Sequence, residues 1–190
     1  MSSTILTGQF IYVLLLSSSC LAQTAATSIL ADMKLDCVAA RQTPEKANAP
    51  GLLISTFSFG GAKEATGADA GRPKFDNILI SKEVDDCTPL VFKALAAGTN
   101  LAPTASPSPV KIRVLDSSAT PTRVFLELEL RHVLVTGHQF AGYPGAPLQE
   151  SITLSYGQIK MTYRPPDIAG RPQDPVVACW DTTTLSTTCP

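Results

Sequence analysis

The stretch Lys74-Phe-Asp-Asn-Ile-Leu-Ile-Ser-Lys-Glu-Val-Asp-Asp-Cys-Thr-Pro-Leu-Val-Phe-Lys-Ala-Leu-Ala-Ala-Gly98 decides the fold, because its hydrophobic pattern changes halfway along. From Ile78 to Val84 it is rich in β-forming residues, which predicts a strand. Its second half carries an apolar face at helical spacing, formed by Leu90, Val91, Ala94 and Leu95. We therefore predict a strand that leads directly into a short helix.

The ends of this helix can also be predicted. Thr88 is a suitable N-cap, and Pro89 suits the first helical position, where a missing N–H costs nothing. Asp85 and Asp86 place negative charge where the helix dipole favours it. Gly98 can adopt the left-handed conformation that ends many helices. All other segments resemble strands and turns, so we expect the helix to cover part of a β-structure.

Composition limits the classes of protein that the chain can belong to. Its 190 residues are 44% hydrophobic and 16% charged, which suits one domain with a substantial core and some additional segments. The net charge of −1 argues against a nucleic-acid-binding protein, which needs a clustered basic surface. Fifteen prolines and many turn-forming residues favour a β-rich fold over a helical bundle.

The N-terminal residues 1–22 resemble an export signal. They hold no charged side chain, and the short apolar run Phe10-Ile-Tyr-Val-Leu-Leu-Leu16 precedes Cys20 and Ala22, which suit positions −3 and −1 of a cleavage site. We expect a cleaved signal and a secreted or periplasmic protein without a membrane span. The alternatives are a misassigned start or a disordered leader, because the segment lacks the usual lysine or arginine. Ser17 argues against a lipid anchor on Cys20.

Removing the leader leaves an even number of cysteines, namely Cys37, Cys87, Cys179 and Cys189. An even number in an exported chain predicts two disulfides, for which three connectivities exist. Cys179 and Cys189 are close in sequence, and pairing them leaves Cys37 with Cys87. The alternative is a set of four free or partly buried thiols.

The sequence contains no recognisable catalytic or metal-binding motif. Nucleophile-elbow, zinc-protease and phosphate-loop patterns are missing, and zinc lacks a C-x-x-C pair. Weaker candidates are two histidines that could act as bases, two carboxylates on one strand face, and an acidic run before the helix: His132, His138, Glu127, Glu129, Glu83, Asp85 and Asp86. A structural or solvated role is commoner for each, so we expect a non-enzymatic protein without cofactor or metal.

The hydrophobic pattern elsewhere predicts a strongly bent sheet. We predict further strands at Thr27–Asp36, Gly51–Phe59, Val110–Val114, Val124–Val135 and Ile152–Tyr163. Gly60–Lys74 and Thr136–Leu148 resemble loops, the first of them long and mobile. In the last two strands the apolar face changes side, near Arg131–His132 and at Gly157, which indicates inserted residues. Such bends favour a mainly β fold, an antiparallel β-barrel with one short flanking α-helix.

The composition changes again after the predicted barrel, which we assign to residues 27–165. Residues 166–190 form a Pro/Thr-rich tail that contains Trp180 and two of the cysteines. Prolines at its start would interrupt a ladder of hydrogen bonds, so we expect an appended arm rather than a core element.

Six segments, in order along the chain, resemble the haemolysin-coregulated protein (Hcp) family, the tube protein of type VI secretion. They are Ile29–Asp36, Ile54–Gly60, Phe75–Asp85, Thr88–Gly98, Leu128–Val135 and Glu150–Tyr163. The resemblance implies a β-barrel flanked by a helix, hexameric rings that stack into a hollow tube, and no catalytic residues. It further implies that the loop after the second strand contacts neighbouring rings. The candidates for that contact are Gly60, Gly61, Lys63, Glu64, Gly67 and Arg72.

The leader, the cysteines and the tail depart from the pattern of this family. Our hypothesis is therefore an exported Hcp-like subunit that assembles outside the cytoplasm into rings that stack into tubes or filaments and are locked by disulfides. Its partners would be copies of itself and components of a secretion system, not nucleic acid. One alternative is a conventional type VI tube protein or effector carrier. Another is a periplasmic effector or binding module.

Overall fold

The structure, a computed structural model, describes residues 27–35, 37, 51–66, 69–103, 108–116, 122–167, 171 and 173–187. The predicted leader, Gly67 and Cys189 lie outside the described residues. The strands are β1 Thr27–Asp32, β2 Leu52–Ile54, β3 Thr56–Ser58, β4 Gly61–Thr66, β5 Asp69–Phe75, β6 Ile78–Glu83, β7 Val110–Asp116, β8 Arg123–Arg131, β9 Leu134–Ala141, β10 Gln149–Ser155, β11 Gln158–Tyr163 and β12 Val176–Asp181. The helix α1 spans Thr88–Ala97.

Within the described residues the strands pair into three antiparallel sheets. The largest has six strands in the order β12-β11-β8-β7-β1-β2, the second has four in the order β3-β6-β10-β9, and β4 pairs with β5 alone. The mainly β, antiparallel character and the flanking helix predicted from the sequence are confirmed. The predicted first strand is shorter than expected, because Lys34 has a positive φ of 57° that ends the extended backbone.

Three corners connect the two larger sheets, and they account for the changes of apolar face in the sequence. The predicted strand over Gly51–Phe59 breaks at Ser55, where β2 in one sheet gives way to β3 in the other. The next two predicted strands break in the same way, between β8 and β9 and between β10 and β11. Inserted residues within single strands are therefore the wrong interpretation. Strands that pass from one sheet to another form such corners in β-structures.

One corner depends on a glycine. The Gly157 N–H donates a hydrogen bond to the Arg131 carbonyl over 3.0 Å, and a Cβ atom at Gly157 would lie 3.0 Å from the Cβ of His132. His132 itself has a φ of 54°, which turns the chain out of β8. The close approach of the two segments therefore excludes a larger residue at position 157 unless His132 moves.

The core fills the space between the two larger sheets and α1. Its fully buried side chains include Met33, Leu52, Ile78, Ile80, Val91, Ile112, Leu128, Leu130, Ile152 and Leu154. These residues come from both sheets and from the helix, so the packing of the core joins all three elements. Burial of each such side chain stabilises the fold by roughly 1.5–3 kcal/mol.

The helix begins one residue earlier than predicted. Cys87 is the N-cap and Thr88 the first helical residue, so Thr88 is not the N-cap, and Pro89 takes the second helical position. The Thr88 hydroxyl instead accepts a hydrogen bond from the Asp85 N–H over 3.0 Å. The end is as predicted, because Gly98 has a left-handed backbone with φ 61°.

Two predicted loops and the tail contain strands. The segment Gly60–Lys74 forms the hairpin β4–β5, and β9 extends into the predicted loop Thr136–Leu148 as far as Ala141. The tail adds β12 beside β11, in register from Gln158 opposite Asp181 to Tyr163 opposite Val176. The prolines do not prevent this strand, because it begins after Pro175 and lies at the edge of its sheet. In the described part of the chain, no helix has the length and apolar character to cross a membrane.

Candidate functional site

A disulfide fixes the start of α1. Cys37 and Cys87 are bonded, with their Cα atoms 5.4 Å apart, and Cys87 is fully buried. The bond closes a loop over a sequence separation of 50 residues. It therefore connects the segment that follows β1 to the N-cap of the helix. This is the pairing that the sequence analysis expects if Cys179 pairs with Cys189.

Four charged or ionisable side chains meet beside this disulfide, at the junction of β6, β9, β10 and α1. The Lys82 Nζ lies 2.5 Å from Glu150 Oε1 and 2.8 Å from Asp85 Oδ1. His138 Nε2 lies 2.6 Å from the other oxygen, Glu150 Oε2. The Thr88 hydroxyl donates to Glu150 Oε1 over 2.8 Å. We call these five residues the buried ion cluster.

Most charged and polar side-chain atoms of the buried ion cluster are bonded to other members, but Nδ1 of His138 is buried without a hydrogen-bond partner. The side chains of Lys82 and Glu150 are 0% exposed, so their charges depend on each other and on the surrounding dipoles for compensation. Lys82 also donates to the Glu83 carbonyl over 2.8 Å, and the Asp85 carboxylate accepts the Cys87 N–H over 2.8 Å. Such a network orders the sheet–helix junction.

The candidate contact residues lie on the hairpin β4–β5. Gly61, Lys63 and Arg72 fall within its strands, Gly60 directly precedes it, and the first three are exposed or partly so. The main chain of Glu64 lies in β4, whereas Gly67 is outside the described residues. The hairpin is closed at its base by the Asp76 N–H, which donates to the Gly60 carbonyl over 2.9 Å. The predicted mobile loop is therefore wrong, because the segment forms two paired strands.

A group of four aromatic side chains anchors the base of this hairpin. Phe75 at the end of β5 stacks on Phe59, with ring centroids 6.0 Å apart and planes 11° apart. Phe75 also contacts Trp180 of the tail strand at 5.9 Å, and Phe59 contacts Tyr156 at 6.3 Å. Aromatic pairs at such separations contribute about 0.5–1.5 kcal/mol beyond the area they bury. We call these residues the aromatic anchor.

Glycine at position 61 makes room for the aromatic anchor. A Cβ atom there would lie 2.6 Å from Cδ1 of Phe75, which is a steric clash. The Tyr156 hydroxyl donates to the Asp76 carbonyl over 3.2 Å, and so connects the corner between β10 and β11 to the hairpin base. Burial, together with the nearby negative charge of Asp76, raises the pKa of Tyr156 to about 12.

The tail reaches the same anchor from the other side. Trp180 lies on β12, and the neighbouring Cys179 is disulfide-bonded. After β12 the chain turns, and Asp181 accepts hydrogen bonds from Gln158 Nε2 over 2.7 Å and from the N–H groups of Thr183 and Thr184 over 2.7 and 2.9 Å. These bonds from backbone and side chain lower the pKa of Asp181. The proposed pairing of Cys179 with Cys189 stays a prediction.

The structure brings two of the weaker catalytic candidates together, because Asp85 and His138 both belong to the buried ion cluster. His132 lies at a corner and His138 in the buried ion cluster, whereas Glu127 and Glu129 each bind basic side chains on neighbouring strands. Asp85, Asp86 and Cys87 bring three potential metal-ligand atoms within 4.8 Å of one another. The Cys87 sulfur is committed to its disulfide, however, and is not a thiolate.

Two features of the site escaped prediction from the sequence. The alternation of β6 places Lys82 on the inward face with Ile78 and Ile80. Because lysine is rarely buried, this alternation could have predicted a buried partner for its charge. Likewise, each member of the aromatic anchor lies at or next to the end of a strand, but nothing in the sequence shows that the four side chains meet: Phe59, Phe75, Tyr156 and Trp180. Contacts over such long sequence separations are set by the topology of the sheets.

The chain matches a protein family over much of its length. The family model described as "Type VI secretion system effector, Hcp" matches residues 53–163, which is more than half of the chain. The matched segment begins in β2 and ends with β11, so it includes the hairpin, α1 and the buried ion cluster. No curated protein shows significant sequence similarity to the chain.

Solved structures show the same fold. "Structure of a type six secretion system protein" superimposes with a TM-score of 0.71 at 19% identity and covers 86% of this chain and 100% of that one. Hcp1 from Salmonella typhimurium gives 0.65 at 15%, covering 86% and 99%. The secreted protein Hcp3 from Pseudomonas aeruginosa gives 0.55 at 17%, covering 82% and 98%. At these identities the likeness shows the fold alone.

Proposed function

The chain belongs to the Hcp family of type VI secretion system effectors, and we propose that it is an exported, non-enzymatic structural subunit that assembles with copies of itself into rings. In this proposal the two larger sheets, joined at their three corners, close into the wall of a barrel. Hexameric rings that stack into tubes are what the resemblance to this family implies, and the predicted leader and the cysteines favour assembly outside the cytoplasm.

The observation that carries the proposal is the hairpin β4–β5. It pairs with neither larger sheet, and it is held at its base by the aromatic anchor. Gly61, Ala62 and Lys63 of β4 and Arg72 and Lys74 of β5 are exposed or have exposed side chains. An ordered, projecting pair of strands with free surface suits contact with a neighbouring subunit better than catalysis does.

The cysteines support assembly in an oxidising compartment. Cys37 and Cys87 are bonded, and Cys179 is bonded as well. Disulfides of this kind persist in secreted and periplasmic proteins and are rare in the cytoplasm, where thiols are kept reduced. This favours an exported subunit over a tube protein assembled in the cytoplasm.

The proposal is tested on protein recovered from the culture medium or periplasm of producing cells. Its mass should show loss of residues 1–22 and four hydrogens fewer than the reduced chain, and it should elute as a ring-sized oligomer. A chain that retains its N-terminus and carries free thiols, yet forms rings, would favour the conventional type VI tube. A monomer in all conditions would exclude ring assembly and leave a binding module.

A further inference from the structure

The lysine of the buried ion cluster lies in contact with two carboxylates at once. The Lys82 Nζ is 2.8 Å from Asp85 Oδ1 and 2.5 Å from Glu150 Oε1, and the lysine side chain is 0% exposed. With a C–O bond of about 1.23 Å, the Asp85 carboxyl carbon lies no farther than about 4 Å from this nitrogen. Atoms in a near-attack geometry are about 3–3.5 Å apart, so a small torsional change brings the amine onto the carboxyl carbon.

Burial distinguishes this contact from an ion pair of similar length on the sheet surface. Lys111 and Glu129 are 2.6 Å apart, but their side chains are 24% and 19% exposed, so water solvates both ions. The Lys82 side chain is out of contact with water, and that of Asp85 is only 16% exposed. A buried ion pair carries a large desolvation penalty. Condensation of the two ions to a neutral amide removes both charges and, with them, this penalty.

The carboxyl group of Asp85 is held in a way that suits attack by an amine. Its Oδ1 accepts the Cys87 N–H over 2.8 Å, directly at the N-terminus of α1. A backbone N–H and the positive end of a helix both stabilise the negative charge that develops on a carboxyl oxygen during attack. Because the Asp85 side chain is partly exposed, the water molecule that the reaction releases can reach solvent.

Glu150 is placed to act as the base. Its Oε1 contacts the Lys82 Nζ and also accepts the Thr88 hydroxyl over 2.8 Å, and its Oε2 lies 2.6 Å from His138 Nε2. These contacts fix the carboxylate beside the amine, where it can accept a proton from the lysine and pass it to the departing oxygen. Thr88 and His138 remain its partners once the Lys82 charge is gone.

We propose that Lys82 and Asp85 condense to an intramolecular isopeptide bond. Glu150 takes a proton from the ammonium group, and the freed electron pair of Nζ attacks the Asp85 carboxyl carbon. The new C–N bond forms and one C–O bond breaks. The oxygen leaves as water with two protons, both from the lysine nitrogen, and Glu150 ends as a carboxylate. Nothing is oxidised or reduced. The bond forms within one subunit, so the inference goes beyond the proposed function.

Mass spectrometry of tryptic peptides from the reduced and alkylated, exported protein tests the proposal. Trypsin should not cleave after Lys82, because its side chain has become an amide, and residues 75–93 should form one peptide that is lighter by one water molecule. Cleavage after Lys111 and an unchanged mass for the peptide that contains Glu129 provide the internal control. These readouts depend neither on the leader nor on ring assembly, so they are separate from the test of the proposed function.

Three variants identify the reacting groups. Lys82→Met removes the amine and should lose no water; a loss that persists there is a cyclic imide of Asp85 and overturns the proposal. Glu150→Gln lacks the base and should also lose no water, with an unchanged circular dichroism spectrum. Asp85→Ala changes a partly exposed side chain and gives the same test if the buried substitutions prevent folding. Wild-type peptides of full mass, or a link between residues 75–93 and 132–160, which would join Lys82 to Glu150, overturn the assignment.

Discussion

The start of helix α1 and the hairpin β4–β5 belong to the same family segment but are held in opposite ways. A disulfide and the buried ion cluster hold the helix start, where Lys82 and Glu150 are 0% exposed. Among the described strands, β4 and β5 pair with each other alone, and the hairpin rests on the aromatic anchor at its base. In our proposal, stability and assembly therefore depend on separate regions, so that each can be changed without the other.

Glu150→Ala should produce the largest loss of stability and so test the first half of this comparison. It leaves the Lys82 ammonium group buried with one carboxylate instead of two, which costs about 3–5 kcal/mol of unfolding free energy. Urea denaturation measures the loss. The control is Arg171→Ala, which removes one partner of an ion pair at a side chain 78% exposed and should cost less than about 1 kcal/mol. Equal effects of the two substitutions would contradict the assigned role.

Cys37→Ser should produce the next largest loss of unfolding free energy. The chain-entropy model gives a cross-link over 50 residues about 4 kcal/mol, and measured values are commonly about 2–4 kcal/mol. This substitution avoids placing a hydroxyl at the fully buried Cys87. The loss in urea denaturation should appear in oxidised protein and vanish when wild type and variant are both reduced. A loss that persists after reduction would show that packing, not the disulfide, is responsible.

The stability of the protein should fall at high pH because of Tyr156, which lies at the base of the hairpin. The folded pKa is raised from 10.0 to about 12, so the unfolded chain releases this proton first as pH rises. Stability present below pH 10 is therefore lost progressively between pH 10 and about 12. The loss from this group should reach at most about 2 kcal/mol, because the side chain is only partly buried.

Tyr156→Phe isolates that contribution from other groups that titrate at high pH. At neutral pH the variant should be less stable by about 1 kcal/mol, because the hydrogen bond to the Asp76 carbonyl is lost. The gap should narrow between pH 10 and about 12, because Tyr156 ionises in the unfolded wild-type chain while it stays protonated in the folded protein. A constant gap across this window would show that Tyr156 titrates with its ordinary pKa.

Arg72→Glu should have the smallest effect on stability and the sharpest effect on assembly. Its side chain is exposed on β5, so the unfolding free energy should change by no more than about 0.5 kcal/mol. The reversed charge should nonetheless weaken association, measured by light scattering after size exclusion. Lys93→Glu makes the same charge change on α1 and should leave association intact. If both variants associate equally, the hairpin is not the contact surface.

The strand–helix segment shows what sequence patterns predict well. Periodicity and the turn residues placed β6 and α1 within a residue or two, because local preferences and burial agree there. Cys87 rather than Thr88 is the N-cap, because the Thr88 hydroxyl donates to Glu150 and accepts from the Asp85 N–H. The contact with Glu150 spans 62 positions of sequence, so local patterns could not predict it. Cysteine counting predicted two disulfides with three possible connectivities, and the observed Cys37–Cys87 pair is the one expected if Cys179 pairs with Cys189.

The hairpin and the corners show where such prediction ends. The sequence pattern located the changes of apolar face at the correct positions. It could not tell a bulge from a corner, because both move the apolar residues of a strand to its other face. Gly60–Lys74 resembled a loop because it holds several glycines and few large apolar residues, and the contacts of Phe75 with Phe59 and Trp180 join segments that are distant in sequence. Both outcomes depend on which strands become neighbours.

Negative-stain electron microscopy of the oxidised protein, recovered after export, tests the central claim most directly. The account predicts rings of uniform diameter, sixfold in projection, that disappear in the Arg72→Glu variant while its circular dichroism spectrum is unchanged. Uniform monomers in the wild-type protein, or rings that persist in Arg72→Glu, would contradict assembly through the hairpin.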